Sequence, residues 1–230
     1  MRNLFARFCR LLLLTFALYV VEAWAGTIRG TVSAQPKEGT EVEAGGGAYA
    51  SRKFKFTERI NYAQLRDFVV YIDQPVNLAS APEPRPVRIA QRDAAFSSHV
   101  LPVLVGTTVE WPNEDDIFHN VFSDSEALRF DLGLYKKGEH KSVTFVKPGR
   151  VDVFCSIHSN MHCIILVLEN PFFASADSQG NFSIPKVPAG TYRLKAWHER
   201  VPSQVKEVVV PENGEIKVEF VLGVRNLPKI

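Results

Sequence analysis

A nine-residue segment of the chain contains an unusual concentration of side chains that can bind a metal. It runs from Cys155 to Cys163, reads C-S-I-H-S-N-M-H-C, and includes His158, Met161 and His162. The chain has only three cysteines and two methionines in all, so their grouping here is the most informative feature of the sequence. A soft thiolate, imidazoles and a weak thioether together are the donors of a redox-active transition-metal site.

A thiolate, two imidazoles and a thioether are what a mononuclear type 1 copper centre requires, and Cys155-x-x-His158-x-x-Met161 supplies three of these donors at a consistent spacing. In such a centre a thiolate holds both Cu(I) and Cu(II), two imidazoles complete a near-trigonal plane, and a methionine sulfur approaches from the axis and tunes the potential. Three of these ligands come from one tight loop at the end of a strand, and the second imidazole comes from a neighbouring strand. His119, which follows the run Trp111 to Phe118, is the candidate for that position.

Two parts of the sequence resemble the plastocyanin-like cupredoxins. The segment from Val105 to Phe122 contains G-T-T-V-E-W and then H-N-V-F, and the Cys155 loop has the short spacing of the amicyanin type. The resemblance covers about Pro86 to Glu169. Finding both motifs in the right order is much more specific than finding either one alone.

This resemblance implies a role for each residue of the candidate site. One type 1 copper ion would be bound by His119, Cys155, His158 and Met161. The backbone N–H of Asn120 would donate a hydrogen bond to the thiolate. His158 would reach the surface through an apolar patch and form the exit for electrons. Phe118 would belong to this patch, at a position where many members of the family have proline.

Two other interpretations of the nine-residue segment remain open. In an exported protein, Cys155 and Cys163 could form a disulfide across a hairpin. Alternatively, zinc could be bound by Cys155, His158, His162 and Cys163. The zinc site would leave His119 without a role, and the copper site leaves His162 and Cys163 without one.

Several further polar residues have no assigned chemistry. Glu114, Asp115 and Asp116 precede His119 and are either solvated loop charges or a docking surface for a basic redox partner. The remaining histidines outside the segment have no ligand-like neighbours in the sequence and are expected to be surface or structural residues: His99, His140 and His198.

The pattern of the chain predicts an all-β protein. Short alternating runs are separated by Gly, Pro, Asn and Asp, as is typical of antiparallel sandwiches and barrels. In Val151–Cys155 the period of two places Val151, Val153 and Cys155 on one face, so Cys155 should end a strand at the rim of a core. A strand is also predicted for Phe118–Phe122, and a central strand for Ile164–Leu168.

The C-terminal part resembles a different module, the carboxypeptidase-regulatory-like or transthyretin-like β-sandwich. The resemblance is carried by the turn D-S-Q-G-N-F from Asp177 and the turn P-A-G-T-Y from Pro188. Gly26–Val32 and Asp67–Ile72 look like the first two strands of the same module. Exported proteins labelled as methylamine-utilisation or plastocyanin-like share this combination.

The expected fold is therefore a cupredoxin Greek-key sandwich or barrel plus a small, discontinuous transthyretin-like sandwich. Four parts follow along the chain: a signal peptide in residues 1–25, the first strands of the sandwich with a long polar loop in 26–75, the cupredoxin domain in 86–170, and the rest of the sandwich in 171–225.

The first 25 residues predict export from the cytoplasm. Three arginines precede the apolar run Leu11–Val21, and Ala23-Trp24-Ala25 supplies small residues for cleavage before Gly26. The apolar run is too short to span a bilayer comfortably, so no stable membrane insertion is expected. The signal holds three arginines and one glutamate, which accounts for the formal charge of +2. A neutral mature chain gives no reason to expect nucleic acid as a partner.

These features predict an exported one-electron carrier, located in the periplasm or outside the cell, rather than an enzyme. Its partner would be another redox protein, such as a c-type cytochrome or a dehydrogenase. Two alternatives are a module that delivers copper and a small copper enzyme with an open coordination position that uses His162. The His-x-His pairs of trinuclear copper oxidases do not occur in the sequence.

Overall fold

The computed structural model of the protein describes residues 25–36, 60–78 and 82–223, and the regular secondary structure in these ranges is almost entirely β-strand. In chain order the strands are β1 (Ala25–Ala34), β2 (Val69–Ile72), β3 (Val87–Arg88), β4 (Gln91–Arg92), β5 (Ala95–Phe96), β6 (Val100–Leu104), β7 (Thr108–Pro112), β8 (Phe122–Asp124), β9 (Arg129–Asp131), β10 (His140–Thr144), β11 (Gly149–Phe154), β12 (His162–Leu168), β13 (Phe173–Ser175), β14 (Asn181–Pro188), β15 (Gly190–His198), β16 (Val201–Val210) and β17 (Glu215–Leu222). A short 3-10 helix spans Tyr62–Gln64. The predicted all-β class is confirmed.

Strands β3 to β12 form the central domain, which contains the candidate site. One sheet has the order β6-β12-β11-β8-β9 and the other the order β10-β7-β3. Their buried side chains share one core, which includes Trp111, Tyr135, Phe145 and Cys163. Strand β12 is buried along most of its length because it lies between β6 and β11, as its continuous apolar run predicts.

Strands from both ends of the chain form a second unit, which we call the terminal sandwich. Its two sheets have the orders β14-β1-β17 and β13-β2-β15-β16, so β1 and β2 pair with strands that follow the central domain. Alternate residues of β1 are buried, and they pack with those of β14 and β17 in a separate apolar core. The terminal sandwich is therefore discontinuous in sequence.

The two units meet through a third apolar cluster. Val69 and Tyr71 of β2 pack with residues of β6 and β12, namely Val100, Ile164, Leu166 and Leu168. Partly buried Phe173 and Trp197 complete the cluster. The outward side of the β6–β12 pair is thus covered by the terminal sandwich.

The strand predicted for Phe118–Phe122 is wrong for most of its length. Strand β8 begins only at Phe122, and the preceding residues form a loop in which His119 makes one isolated antiparallel bridge with Tyr135. The Asn113 side chain donates hydrogen bonds to the carbonyl oxygens of Ile117 and Tyr135 (2.8 and 3.1 Å). Side-chain bonds of this kind satisfy the backbone without a regular ladder, which explains the irregular course of the loop.

Two predictions concern residues outside the described ranges. The predicted signal peptide lies outside the described residues except for its last residue, Ala25, which is the first residue of β1. Most of the predicted long polar loop lies in residues 37–59, which are also outside the described ranges. Within the described residues there is no helix that is both long enough and apolar enough to cross a membrane.

Candidate metal centre

Three of the four predicted ligands meet at one end of the central domain. The Cys155 Sγ atom lies 3.9 Å from His119 Nδ1 and 3.7 Å from His158 Nδ1, and the two Nδ1 atoms are 3.1 Å apart. His119 and Cys155 are buried, whereas His158 is partly exposed. The cluster therefore combines a thiol with two imidazoles, each aimed at the same point.

These separations fit one transition-metal ion bound between the three side chains. A first-row metal lies about 2.0 Å from imidazole nitrogen and about 2.3 Å from thiolate sulfur. With those lengths, the three observed separations correspond to angles of about 100°, 120° and 130° at the ion. Three such angles nearly complete a plane, which is the arrangement of two imidazoles and a thiolate in a trigonal copper site.

Met161 lies in the same loop and is 1% exposed. Its backbone N–H donates to the His158 carbonyl oxygen (3.0 Å), and its own carbonyl oxygen accepts from the Cys155 N–H (3.3 Å). These two bonds close the loop, so the backbones of three of the predicted ligands are joined to one another. The structure thus places the Met161 side chain inside the protein at the loop that carries Cys155 and His158.

Cys155 follows directly after strand β11, as the period of two predicts. Val151, Val153 and Cys155 are all buried, whereas the intervening residues are only partly buried. The strand therefore directs the Cys155 sulfur toward the interior, and the turn that follows brings back His158.

His119 is held by hydrogen bonds of its backbone and by one contact of its ring. Its N–H donates to the Tyr135 carbonyl oxygen (3.1 Å), and its carbonyl oxygen accepts from the Tyr135 N–H (2.9 Å). On the ring, Nε2 lies 2.8 Å from Asp115 Oδ2. A carboxylate at this distance accepts the Nε2–H proton and leaves the Nδ1 lone pair free for a metal.

Asp115 stays ionised in this arrangement. Partial burial raises its pKa, but hydrogen bonds from the Ala94 and Asp93 N–H groups and from His119 outweigh burial and hold the pKa below its ordinary value of 3.8. Asp115 is thus a positioning residue for His119. From the sequence, Asp115 is expected to be either a solvated loop charge or part of a docking surface, and its place four residues before His119 is the signal that could have indicated the contact.

A buried polar network supports the loop that carries His119, and nothing in the sequence pattern indicated it. The Tyr135 hydroxyl donates to Gln91 Oε1 and lies 3.0 Å from the Trp111 carbonyl oxygen. Gln91 Nε2 in turn donates to the Asn120 carbonyl oxygen (3.3 Å). Burial, together with the nearby Cys155 thiol, raises the pKa of Tyr135 far above its usual range, so its hydroxyl stays protonated as a donor.

Asn120 links the two ligand loops through its side chain. Its Oδ1 atom accepts from the Ser156 N–H (3.1 Å), next to Cys155, and its Nδ2 atom donates to Asp131 Oδ1 (2.6 Å). These contacts fix the Cys155 loop against the His119 loop. The hydrogen bond from the Asn120 N–H to the thiolate stays a prediction.

Four exposed apolar side chains lie next to the ligands, or next to Tyr135, along the chain, and we call them the apolar patch. Its members are between 46% and 57% exposed: Ile117, Phe118, Leu134 and Ile157. Phe118 and Ile157 are the direct neighbours of His119 and His158, and Leu134 precedes Tyr135. Large exposed apolar side chains grouped in this way are a usual sign of a surface that contacts another protein.

The alternative uses of the second cysteine are not supported by the geometry. Cys155 and Cys163 are both free thiols. Cys163 is fully buried in the core of the central domain beside Trp111, and burial raises the pKa of its thiol far above the ordinary value. His162 lies near Asp152 and His99 rather than at Cys155.

The acidic residues before His119 do not form a free acidic surface. Glu114 is paired with Arg92, and Asp116 with Lys137 (2.8 Å). Asp115 is occupied by His119 and by two backbone N–H groups. The interpretation of these three acids as a docking surface for a basic partner is therefore not favoured.

Comparison with known families gives one match in the central domain and another in the terminal sandwich. Residues 86–168 match the family described as copper binding proteins of the plastocyanin/azurin family. Residues 169–218 match the family described as polysaccharide lyase family 4, domain II. The second match falls on the part that resembles a transthyretin-like sandwich, and it does not confirm that resemblance. No curated protein matches the chain.

Several solved structures are similar to part of the chain. A proline-to-alanine mutant of amicyanin is 27% identical, with 36% of this chain and 82% of the amicyanin covered and a TM-score of 0.35. A copper-containing nitrite reductase from Thermus scotoductus is 37% identical over 42% of this chain and 25% of its own, with a TM-score of 0.36. A purple cupredoxin from Nitrosopumilus maritimus is 23% identical over 36% of this chain and 99% of its own, with a TM-score of 0.33.

The family match and the donor set agree on the nature of the metal. The matched range includes the three converging side chains, Met161 and the loop of His119. Residues 86–168 thus form a cupredoxin-like domain that is similar to the plastocyanin/azurin family, and copper is the metal that this similarity supports.

Proposed function

We propose that this protein is an exported one-electron carrier with a single type 1 copper ion bound by His119, Cys155, His158 and Met161. The observation that carries the proposal is the convergence of one sulfur and two Nδ1 atoms at separations that suit a trigonal site. Copper in such a site supplies one chemical capacity, the reversible change between Cu(I) and Cu(II).

The chain's own residues keep this site rigid. Asp115 orients His119, the Tyr135 backbone pairs with it, and Asn120 ties the Cys155 loop to the His119 loop. A carrier benefits from such bracing because a site whose ligands do not rearrange exchanges electrons with a small reorganisation cost. Met161 is proposed as the axial ligand, since its side chain is buried within the same loop.

Electron transfer, rather than turnover of a substrate, is favoured by the exposure of the ligands. His119, Cys155 and Met161 are at most 5% exposed, so the side of the site that they form is closed to solvent. His158 is the ligand that reaches the surface, where it is flanked by Ile157 of the apolar patch. We propose that a redox protein, such as a c-type cytochrome or a dehydrogenase, docks on this patch and receives the electron through His158.

Export and the nature of the terminal sandwich are part of the same proposal. The arginine-rich and apolar segment before Ala25 supports secretion to the periplasm or the cell exterior. The D-S-Q-G-N-F and P-A-G-T-Y turns support a transthyretin-like sandwich. We propose that this sandwich serves as the scaffold of the copper domain, because its strands cover the β6–β12 pair.

One experiment tests the copper centre and its redox role together. The purified mature protein is loaded with Cu(II), and its optical and spin-resonance spectra are recorded before and after reduction and reoxidation. We expect an intense sulfur-to-copper band with a narrow hyperfine splitting, which disappears on uptake of one electron per protein and returns on oxidation.

Two serine variants make the test specific. Cys155→Ser should remove the band, because the hydroxyl cannot replace the thiolate donor. Cys163→Ser is the matched control and should keep the band, since this thiol lies in the core. Three results would contradict the proposal. The band could remain in Cys155→Ser, it could be lost in folded Cys163→Ser, or the site could fail to accept and release one electron.

A further inference from the structure

A second group of metal-binding side chains lies at the junction of the two structural units. It consists of His99, which immediately precedes β6, His162, the first residue of β12, and Glu199, in the turn between β15 and β16. One ligand atom from each residue lies within 4.8 Å of the others. The two histidines come from the central domain and the glutamate comes from the terminal sandwich.

The backbone holds these three residues in place independently of any ion. Strands β6 and β12 run parallel, and the Ile164 N–H donates to the His99 carbonyl oxygen (2.7 Å), which keeps His99 beside the start of β12. The apolar cluster between the two units packs immediately beyond, through Val100 and Ile164. Glu199 is presented by the tight β15–β16 hairpin, and its Oε1 atom lies 2.6 Å from His99 Nε2.

His162 is oriented as metal-binding histidines usually are. Its Nε2 atom lies 3.0 Å from Asp152 Oδ1, and its ring stacks on Phe154 with 4.7 Å between ring centroids and 13° between planes. A carboxylate that accepts the proton of one ring nitrogen leaves the lone pair on the other, here Nδ1. Within the part of the chain that the structure describes, Nδ1 of His162 has no hydrogen-bond partner, although the ring lies edge-on to His99 at 5.4 Å.

The surroundings of Asp152 suit this role. Arg150 binds both carboxylate oxygens (2.6 and 2.8 Å), so Asp152 is held in one orientation while it accepts from His162. A hydrogen bond between His99 and Glu199 explains the closeness of those two residues, but it does not explain why His162 lies beside them.

The donor set defines the class of ion. Two imidazoles and one carboxylate form the three-ligand set of zinc sites that leave a fourth position for water. Without a thiolate, the cluster favours a divalent ion such as Zn²⁺ over Cu(I). The three side chains are between 20% and 39% exposed, so an ion and its water can enter from solvent.

We propose that His99, His162 and Glu199 bind a divalent transition-metal ion, of which Zn²⁺ is the probe, at a site separate from the Cys155 centre. The ion links the central domain to the terminal sandwich, because its ligands belong to both. Since the ion binds the folded state alone, it stabilises that state.

The test uses the full chain carrying Cys155→Ser, so that the thiolate centre does not compete for zinc. Metal-free protein is titrated with Zn²⁺ by calorimetry, and its melting temperature is measured with and without Zn²⁺. In this background Glu199→Gln and His99→Ala should each weaken zinc binding about tenfold or more and abolish the rise in melting temperature. His140→Ala removes an exposed histidine from β10 and is the control, expected to behave as its parent.

Glu199→Gln keeps the size and hydrogen-bonding capacity of the side chain, so it separates metal binding from folding. Circular dichroism of each metal-free variant verifies that the fold is intact. Two results would overturn the proposal: a parent protein that shows neither zinc binding nor zinc stabilisation, or folded Glu199→Gln and His99→Ala variants whose zinc affinity equals that of the parent. Neither result bears on the copper centre, which the spectra of Cys155→Ser and Cys163→Ser test separately.

Discussion

At the scale of single residues, the site depends on groups that never touch the metal. Asp115 accepts from the His119 ring and from two backbone N–H groups, and it is 13% exposed at the side chain. By fixing which nitrogen of His119 carries the proton, it decides that Nδ1 faces Cys155 with a free lone pair. The neighbouring Asp116 is 86% exposed and makes an ion pair with Lys137, so it makes a useful comparison.

Replacing Asp115 by alanine should lower copper affinity by about 10- to 100-fold, because the His119 ring loses the acceptor that orients it. Competition with a chelator of known strength measures this affinity. Asp116→Ala removes an equal charge from the same loop and should change the affinity little. Equal affinities in the two variants would show that the hydrogen bond to His119 does not position the ligand.

At the scale of structural elements, one glycine allows β1 to pair with β14. Gly180 has φ +84°, and its carbonyl oxygen accepts from the Val32 N–H (2.8 Å). A Cβ atom there would lie 2.2 Å from the Val32 carbonyl oxygen. The turn is closed by Asp177, whose carboxylate accepts from the N–H groups of Gln179 and Asn181 (both 2.8 Å).

Gly180→Ala should therefore destabilise the protein through both a strained backbone and a clash with β1. Gly138 is the matched control, because its φ is +82° and nothing lies within 4 Å of the position of a Cβ atom. We expect Gly180→Ala to lose about 1 to 3 kcal/mol more unfolding free energy than Gly138→Ala, as measured by urea titration. Equal losses would mean that β1 moves aside without cost.

A second feature at this scale is the buried histidine at the end of β15. His198 is 5% exposed, its Nδ1 atom accepts from the Arg200 N–H (3.0 Å), and its ring lies 4.9 Å from Phe68. Burial lowers its pKa below the ordinary value of 6.5 and outweighs the opposite effects of the Glu199 and Asp67 charges and of a hydrogen bond with Arg66. The charge of Arg200 also lowers the pKa.

This shift predicts lower stability in mild acid. The unfolded chain binds a proton at His198 near pH 6.5, whereas the folded chain binds it only at lower pH, so the folded state loses stability as pH falls through that window. His198→Asn keeps an acceptor for the Arg200 N–H but does not titrate. Urea unfolding of metal-free protein at pH about 7.5 and about 5 should show a smaller loss for His198→Asn than for the parent.

The exposed His140→Asn is the control for the pH experiment, and it should lose as much stability as the parent. If His198→Asn and the parent lose the same amount, His198 does not contribute to the acid sensitivity of the fold.

At the scale of the whole molecule, the two units have different surfaces. The central domain carries the apolar patch beside its ligands, whereas the terminal sandwich covers the β6–β12 pair and leaves the patch residues exposed. Two acids of the loop before His119 are paired within the protein, since Glu114 contacts Arg92 and Asp116 contacts Lys137. Recognition of a redox partner at this end should then depend on apolar contact more than on net charge.

Phe118→Glu should slow electron transfer to a c-type cytochrome by about tenfold or more, because it places a charge on the apolar surface where we propose that the partner docks. The optical spectrum should stay unchanged, since the side chain points to solvent. Val209→Glu changes a residue of β16 that is 67% exposed, against 55% for Phe118, and should leave the rate unchanged. Stopped-flow mixing measures both rates. An unaltered rate for Phe118→Glu would place the docking surface elsewhere.

Local patterns in the sequence are sufficient to predict much of this molecule. Alternation with a period of two predicts the all-β class and the inward direction of Cys155, because neighbouring residues of a strand point to opposite faces. The close spacing of Cys155, His158 and Met161 predicts that they share a loop, because residues only three positions apart cannot lie far from one another in space. These conclusions need no knowledge of distant contacts.

The tertiary structure alone decides which distant residues meet. Asp115 orients His119, and Tyr135 and Gln91 support its loop. Instead of the strand expected at Phe118–Phe122 there is a loop, which hydrogen bonds from the Asn113 side chain stabilise. The same holds for His99, His162 and Glu199, of which the first and last are 100 positions apart in the sequence. Such groups come together only when sheets pack, because a strand pattern specifies which face is buried but not which partner covers it.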